Sequence, residues 1–200
     1  IGNHGIAVFK GTNKLPPGIY AIFFPDKQRR TEFLIDKEQI ISVTADTADL
    51  VNKTVVTGSK ENILYDQYQK VAAGKGRLIQ QERNAYTAST TKEDSALHEK
   101  NYTTYNKELN DYREGIIKNQ PNSMMAALLN AMKDPVYSSK IPVTKQDSVD
   151  NYNEYKKHYW DGISFMDDRI VRTPFFLKKV ERYYREVISP EPDTIIKDID

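Results

Sequence analysis

The hydrophobic period of this chain changes at Gly58. Before it, short apolar runs of strand length are separated by turn residues. After it, apolar and tyrosine positions recur every three or four residues. A period near 2 cannot build a helix, and a period near 3.6 cannot build a strand. The tyrosines follow the same division: only Tyr20 precedes Gly58, and the other twelve follow it. The expected fold class is therefore α+β. A partial antiparallel sheet over residues 1–57 precedes a helical region, 58–200, that contains an antiparallel helical hairpin.

Five stretches carry the strand signal: 5–9, 19–24, 33–35, 40–44 and 54–57. Pro16-Pro17-Gly18 and Pro25-Asp26-Lys27 mark turns between them. The uninterrupted run at 19–24 predicts a strand buried on both faces. Five short strands make a thin sheet, the expectation for a domain that lacks its first strands. Beyond Gly58, Ser59 is the natural N-cap of a first long helix, with Glu61 in its first turn. Gly74-Lys75-Gly76 predicts a bend in it, at about 1 kcal/mol per glycine relative to alanine. A polar turn at 87–94 leads into a second helix carrying Tyr102, Tyr105, Leu109, Tyr112 and Ile116. A short apolar helix is expected from Ser123 to Lys133, stopped by Asp134-Pro135, with a loop over 135–142. A further helix opens at Asp147 and carries Tyr152, Tyr155 and Tyr159. Thr173-Pro174 starts another, with Thr173 as cap and Pro174 at the first helical position; Phe176, Val180, Tyr183 and Val187 form its stripe. Ser189-Pro190 ends it. Asp193 caps a last short helix, with Ile195, Ile196 and Ile199 on one face, cut by the end of the chain.

Composition narrows the chemistry. A net charge of +1 argues against a nucleic-acid partner, which demands a basic excess. With no cysteine there is no disulfide, no thiolate metal site and no thiol nucleophile. No run reaches the roughly 20 apolar residues of a membrane span. His4, His98 and His158 are scattered, with no second histidine at ligand spacing, so no metal is expected. Gly74-Lys75-Gly76 lacks phosphate-loop spacing. No cofactor is expected. Asp161, Asp167 and Asp168 near Trp160 resemble a glycosidase carboxylate pair in composition. Capping and pairing with Arg169 or Arg172 is the better reading of them. The tyrosines read as packing rather than as a ligand box.

The segment Tyr155-Lys156-Lys157-His158-Tyr159-Trp160-Asp161-Gly162-Ile163-Ser164-Phe165 is more distinctive. With the following Asp168-Arg169-Ile170-Val171-Arg172-Thr173-Pro174-Phe175-Phe176, it resembles periplasmic thiol–disulfide-oxidoreductase lipoproteins of Gram-negative gut anaerobes. Leu15-Pro16-Pro17-Gly18-Ile19-Tyr20 is similar to the turn into a strand of that family's β-rich domain. Asp46-Thr47-Ala48-Asp49-Leu50 and Gly58-Ser59-Lys60-Glu61-Asn62 resemble its exit into helices. Pro121-Asn122-Ser123 through Asp134-Pro135 resembles its middle helix. Gly162 and Met166 depart from the polar residues of the pattern.

The resemblance implies a chain corresponding to the front half of such a protein. That half is a β-rich domain (1–57) and a helical domain (58–200), ahead of a thioredoxin-like domain and its C-x-x-C motif. The full-length protein would be periplasmic and held at the membrane through a lipidated cysteine, also absent here. The implied function is a non-catalytic accessory module that positions the redox domain, its partner, or recognises client proteins, or mediates self-association. The chain by itself is then no enzyme. Alternatives are a glycan- or peptide-binding domain using Trp160 and the tyrosines, and a hydrolase using Asp161 or Asp168. The signature residues are assigned structural roles: His158, Tyr159, Trp160, Asp161, Phe165, Asp168, Arg169, Arg172, Thr173 and Pro174. Trp160 in particular is expected to be buried against the hairpin tyrosines. The same resemblance implies O-glycosylation at Asp-Ser/Thr followed by a small or aliphatic residue, with Thr47, Ser95, Ser148 and Thr194 as acceptors. Helix starts and turns select the same dipeptides.

Overall fold

In a computed structural model, residues 5–135, 141–188, 191, 193, 195 and 196 are described. The chain is an α+β protein. Strand β1 (Gly18–Phe23) pairs antiparallel with β2 (Arg30–Ile35), in the register Gly18 to Ile35 through Phe23 to Arg30. Strand β3 (Ser42–Thr44) pairs antiparallel with β4 (Val55–Thr57), with Val43 opposite Val56. The expected single sheet is thus two ribbons of two strands each. A one-turn helix, α1 (Leu50–Lys53), capped by Asp49, separates β3 from β4. Residues 5–9 belong to neither ribbon and lie exposed, with Phe9 at 81%. The run at 19–24 is not buried on both faces either. Ala21 and Phe23 face solvent, because a two-stranded ribbon has only one face to offer a core.

Gly58 makes the exit from β4. Its φ of +87° is left-handed, and a Cβ there would stand 2.4 Å from the carbonyl oxygen of Ile40. Helix α2 (Lys60–Ala88) follows, its N-cap Ser59 accepting from the Asn62 N–H. Helical hydrogen bonding continues through Gly74-Lys75-Gly76, where a bend is expected. The helix runs through both glycines, whose faces meet open space, so they weaken it without breaking its hydrogen bonds. A short turn leads to α3 (Lys92–Asn119), capped by Thr91, and the two helices form the expected hairpin.

Helix α4 (Met124–Met132) is capped by Ser123 and sits at the centre of the molecule. Met124, Met125, Ala126, Leu128, Leu129 and Ala131 are each at most 2% exposed. Only a helix apolar on nearly every side can be so enclosed. Met124, Met125, Leu128 and Leu129 pack with Leu34 of β2, Leu64, Tyr65 and Tyr68 of α2, and Ile116 of α3. The Glu61 carboxylate accepts from the Met125 N–H at 3.3 Å, placing an acid at the positive end of α4.

Asn62 joins the sheet to this core. It is 1% exposed, accepts from the Leu34 N–H at 2.7 Å and donates to the Leu34 carbonyl at 2.7 Å. One side-chain amide thereby stands in for a neighbouring strand on the outer edge of β2. Gln39 treats Leu15 in the same way, accepting from its N–H at 3.0 Å and donating to its carbonyl at 3.3 Å.

Candidate functional site

The segment that carries the resemblance lies between α5 (Lys145–Lys157) and α7 (Pro174–Arg182) and includes the one-turn α6 (Asp168–Val171). Helix α5 starts two residues before the expected Asp147. Thr144 is its cap, and Asp147 is the third helical residue of a capping box, bonding back to the Thr144 N–H at 2.7 Å. Because Asp147 caps reciprocally from the third helical position, the start lies upstream of it.

At the other end of α5, His158 lies between two carboxylates. Its Nδ1 is 2.6 Å from Asp161 Oδ2 and its Nε2 is 2.8 Å from Glu154 Oε1. Hydrogen bonds to Asp161 and then Glu154 raise the His158 pKa. Asp161, which the hydrolase alternative would use, is thereby an exposed partner of an imidazole.

Tyr159 is 1% exposed and donates its hydroxyl to the Lys179 carbonyl at 2.9 Å. Burial pushes the phenol up to about 12. The Lys179 ammonium lies 5.2 Å from the centre of that ring and donates to the Lys133 carbonyl at the end of α4, at 2.5 Å. Trp160 is partly buried, and its partners are not the hairpin tyrosines. Its ring centre lies 4.9 Å from Tyr159, 5.0 Å from Phe165, 5.0 Å from Tyr183 and 6.5 Å from Phe176. Tyr183 belongs to a π-helical segment, Tyr183–Val187, that continues α7. The hairpin is out of reach because α4 lies between, and the rings gather around α7 instead. Phe165 stays 54% exposed on the outside of this group. Gly162, at φ +75°, turns the chain against Asn130 of α4; a Cβ would meet the Asn130 side chain at 3.6 Å.

The rest of the segment is built of caps and pairs. Asp167 caps α6 and binds Arg169 through both oxygens, with Nη2 to Oδ2 at 2.7 Å. That arginine holds the Asp167 carboxyl below the ordinary carboxylate range. Arg169 also reaches the Asn122 carbonyl ahead of α4, at 3.3 Å. Asp168 pairs with Arg172 at 3.3 Å on the exposed side. Thr173 is 3% exposed and caps α7, with Pro174 at its first position, as the sequence predicts. The three aspartates face three separate partners, His158, Arg169 and Arg172. Among the described residues no group of three His, Cys, Asp or Glu side chains is placed to hold a metal. His4 lies outside the described residues; His98 is a hairpin residue, 2.7 Å from Glu82.

An open cleft of about 330 Å³ lies at the hairpin tip, lined by Tyr86, Thr91, Ser95 and Glu99 among others. Its hydroxyls are turned inward: Ser89 donates to Ala85, Ser95 to Thr91, and Thr91 to Asp94. Of the proposed glycan acceptors, Thr47 and Ser148 are exposed and Ser95 is partly buried at that tip. Thr194 lies outside the described residues.

Asn62, Lys179 and Tyr183 carry more of the architecture than their sequence signals suggest. Tyr183 could have been weighted by its place in the Phe176–Val180 stripe. Asn62 and Lys179 act on backbone carbonyls of distant elements and leave no local pattern. Among the described residues, no helix is long and apolar enough to cross a membrane. No family model, curated protein or solved structure matches this chain.

Proposed function

We propose that this chain is a non-catalytic accessory module of a periplasmic thioredoxin-like protein, positioning its redox domain or recognising its clients. The carrying observation is the 155–176 segment. The residues that bear the resemblance make a capped, ring-packed joint between α5 and α7: Arg169 of α6 reaches Asn122 ahead of α4, and beyond the segment Lys179 of α7 reaches Lys133 at the other end of α4. A joint of that kind can hold a following domain at a fixed angle. Thiol–disulfide exchange needs a thiolate, and the sequence has no cysteine, so the redox step falls to another part of the protein.

The reading frame beyond Asp200 tests this. The expected outcome is a C-x-x-C within a β-α-β pattern shortly downstream; a stop codon there overturns the reading. The isolated chain is also expected to leave insulin disulfides intact. Turnover that survives further purification would overturn it equally.

A further inference from the structure

The β1–β2 ribbon has two edges, and they are treated differently. The outer edge of β2 is closed at Leu34 by the Asn62 amide. Because both backbone groups of Leu34 point to Asn62, the Ile19–Leu34 pair is a non-hydrogen-bonded one. The bond from the Phe24 N–H to the Arg29 carbonyl, 3.0 Å, fixes the same phase at the turn. The alternate residues Ile19, Ala21 and Phe23 therefore direct their N–H and C=O groups away from β2. Helix α6 lies beside the Gly18 end, where Arg172 Cβ is 3.6 Å from the position of a Gly18 Cβ. Ala21 and Phe23 remain exposed, and no described group bonds their backbone. The strand GIYAIF carries no charge, proline or bulge, the devices that normally blunt an edge.

The same molecule contains a strand sequence without a sheet. Residues 5–9, Gly-Ile-Ala-Val-Phe, are in neither ribbon, and Ile6, Val8 and Phe9 are 65%, 71% and 81% exposed. Only eight residues separate Phe9 from β1, yet the segment does not fold back onto it. The connection is held: Gln39 grips both backbone groups of Leu15, and Pro16 accepts from the Tyr20 hydroxyl at 2.9 Å. Pro16-Pro17 stiffens what lies between. A connection fixed in this way favours pairing with another molecule over closing on its own, the circumstance in which elements are exchanged between copies.

We propose that the free edge of β1 receives residues 5–9 of a second copy of this chain, reciprocally, in a two-fold dimer. Each edge gains a third strand by β-augmentation, and each copy covers Ile6, Val8 and Phe9 together with the partner's exposed Phe23. This inference does not rest on the redox-module reading.

Light scattering across a concentration series tests it on the chain as it stands. The expected result is a mass near twice 23.0 kDa. Ala21→Pro removes an outward N–H and is expected to give a monomer with unchanged helical circular dichroism. Because proline could disturb β1 itself, a second variant carries Ala7→Pro with Val8→Pro. It removes an N–H of either phase from an exposed segment outside both ribbons, and it too should be monomeric. A wild-type monomer at every concentration, or a dimer that survives the residue 7 and 8 substitutions, overturns the proposal.

Discussion

The hairpin α2–α3 is one element in sequence but two in physics. Its base, through Tyr68 on α2 and from Tyr112 on α3, packs into the central core with α4, and Leu109 is buried just above it. Its distal arm hardly joins the core: Ala72 packs against it from its edge, and no residue from 69 to 108 is buried. The arm's seam is polar instead. The Glu82 carboxylate is 2.7 Å from His98 Nδ1 and accepts from Asn101 at 3.3 Å. Lys75 pairs with Glu108 and lies over Tyr105, and Arg83 lies over Tyr102. Cation–π contacts and exposed pairs contribute about 1 kcal/mol or less each. A buried leucine contributes two to five times as much. The same helix thus spans a region anchored by apolar burial and one closed by clasps, and local opening belongs to the second.

The sharpest way to break this contrast is at the base. Asn62→Ala leaves the Leu34 N–H and C=O without partners in a site at 1% exposure. An orphaned buried polar group costs about 1–3 kcal/mol, and there are two. We expect a loss of about 3–5 kcal/mol by denaturant titration. Leu78→Ala on the arm, where the side chain is 37% exposed, should stay within about 0.5 kcal/mol. Equal effects would remove the distinction between base and arm.

Trp160→Ala probes the other packed region. Full burial would predict a loss of about 3–5 kcal/mol. With the ring only partly enclosed but touching four others, we expect about 2–3 kcal/mol, with indole fluorescence between the buried and the water-exposed extremes. A fully red-shifted spectrum with unchanged melting would dissolve the cluster.

Much of this was legible locally. Ser59, Ser123, Thr173 and Pro174 mark helix starts where the structure has them, because a cap is a contact over three residues. The hairpin's Leu109 and Ile116 also fall on its inner stripe. What escaped reading depends on distance along the chain. Whether five strand-like runs form one sheet or two ribbons is decided by pairing partners, and residues 5–9 show that a strand sequence alone makes no strand. The direction Trp160 faces was set by α4, which separates it from the hairpin; nothing in its own neighbourhood encodes that. Of the aspartates expected to pair with arginine, Asp167 meets Arg169 and Asp168 meets Arg172 one helical turn away, whereas Asp161 faces His158.

Acid should open the arm before the base. Hydrogen bonds from His98 and then Asn101 hold the Glu82 carboxyl below its ordinary pKa of 4.5. A carboxyl with a depressed folded pKa contributes stability that is present above the unfolded value. That contribution is lost as pH falls through the folded pKa. Below about pH 4.5 the Cα chemical shifts of 71–106 should move toward coil values, while those of α4 remain helical. Glu82→Gln should weaken the pH dependence of the arm, the Lys75–Glu108 pair supplying what remains. Simultaneous loss of both regions would show that the arm is no weaker than the core.

The smallest effect is expected at His158, and its sign is opposite. Asp161 and Glu154 hydrogen-bond its two ring nitrogens, so the pair favours the imidazolium and raises the pKa above 6.5. A histidine with a raised folded pKa contributes stability that is fully present below the unfolded value. The contribution disappears as pH rises through the folded value. Glu154 and Asp161 are both about half exposed or more, so solvent screens the interaction and the change in melting temperature should be slight. The titration itself is the better readout. By NMR the His158 ring resonances should reach their midpoint above pH 6.5, and Glu154→Gln with Asp161→Asn should return the midpoint to that value. In contrast with Glu82, the charge that matters at the end of α5 is on the histidine, because two carboxylates share one ring. A wild-type midpoint at or below 6.5 would mean that the ring is not held between them in solution.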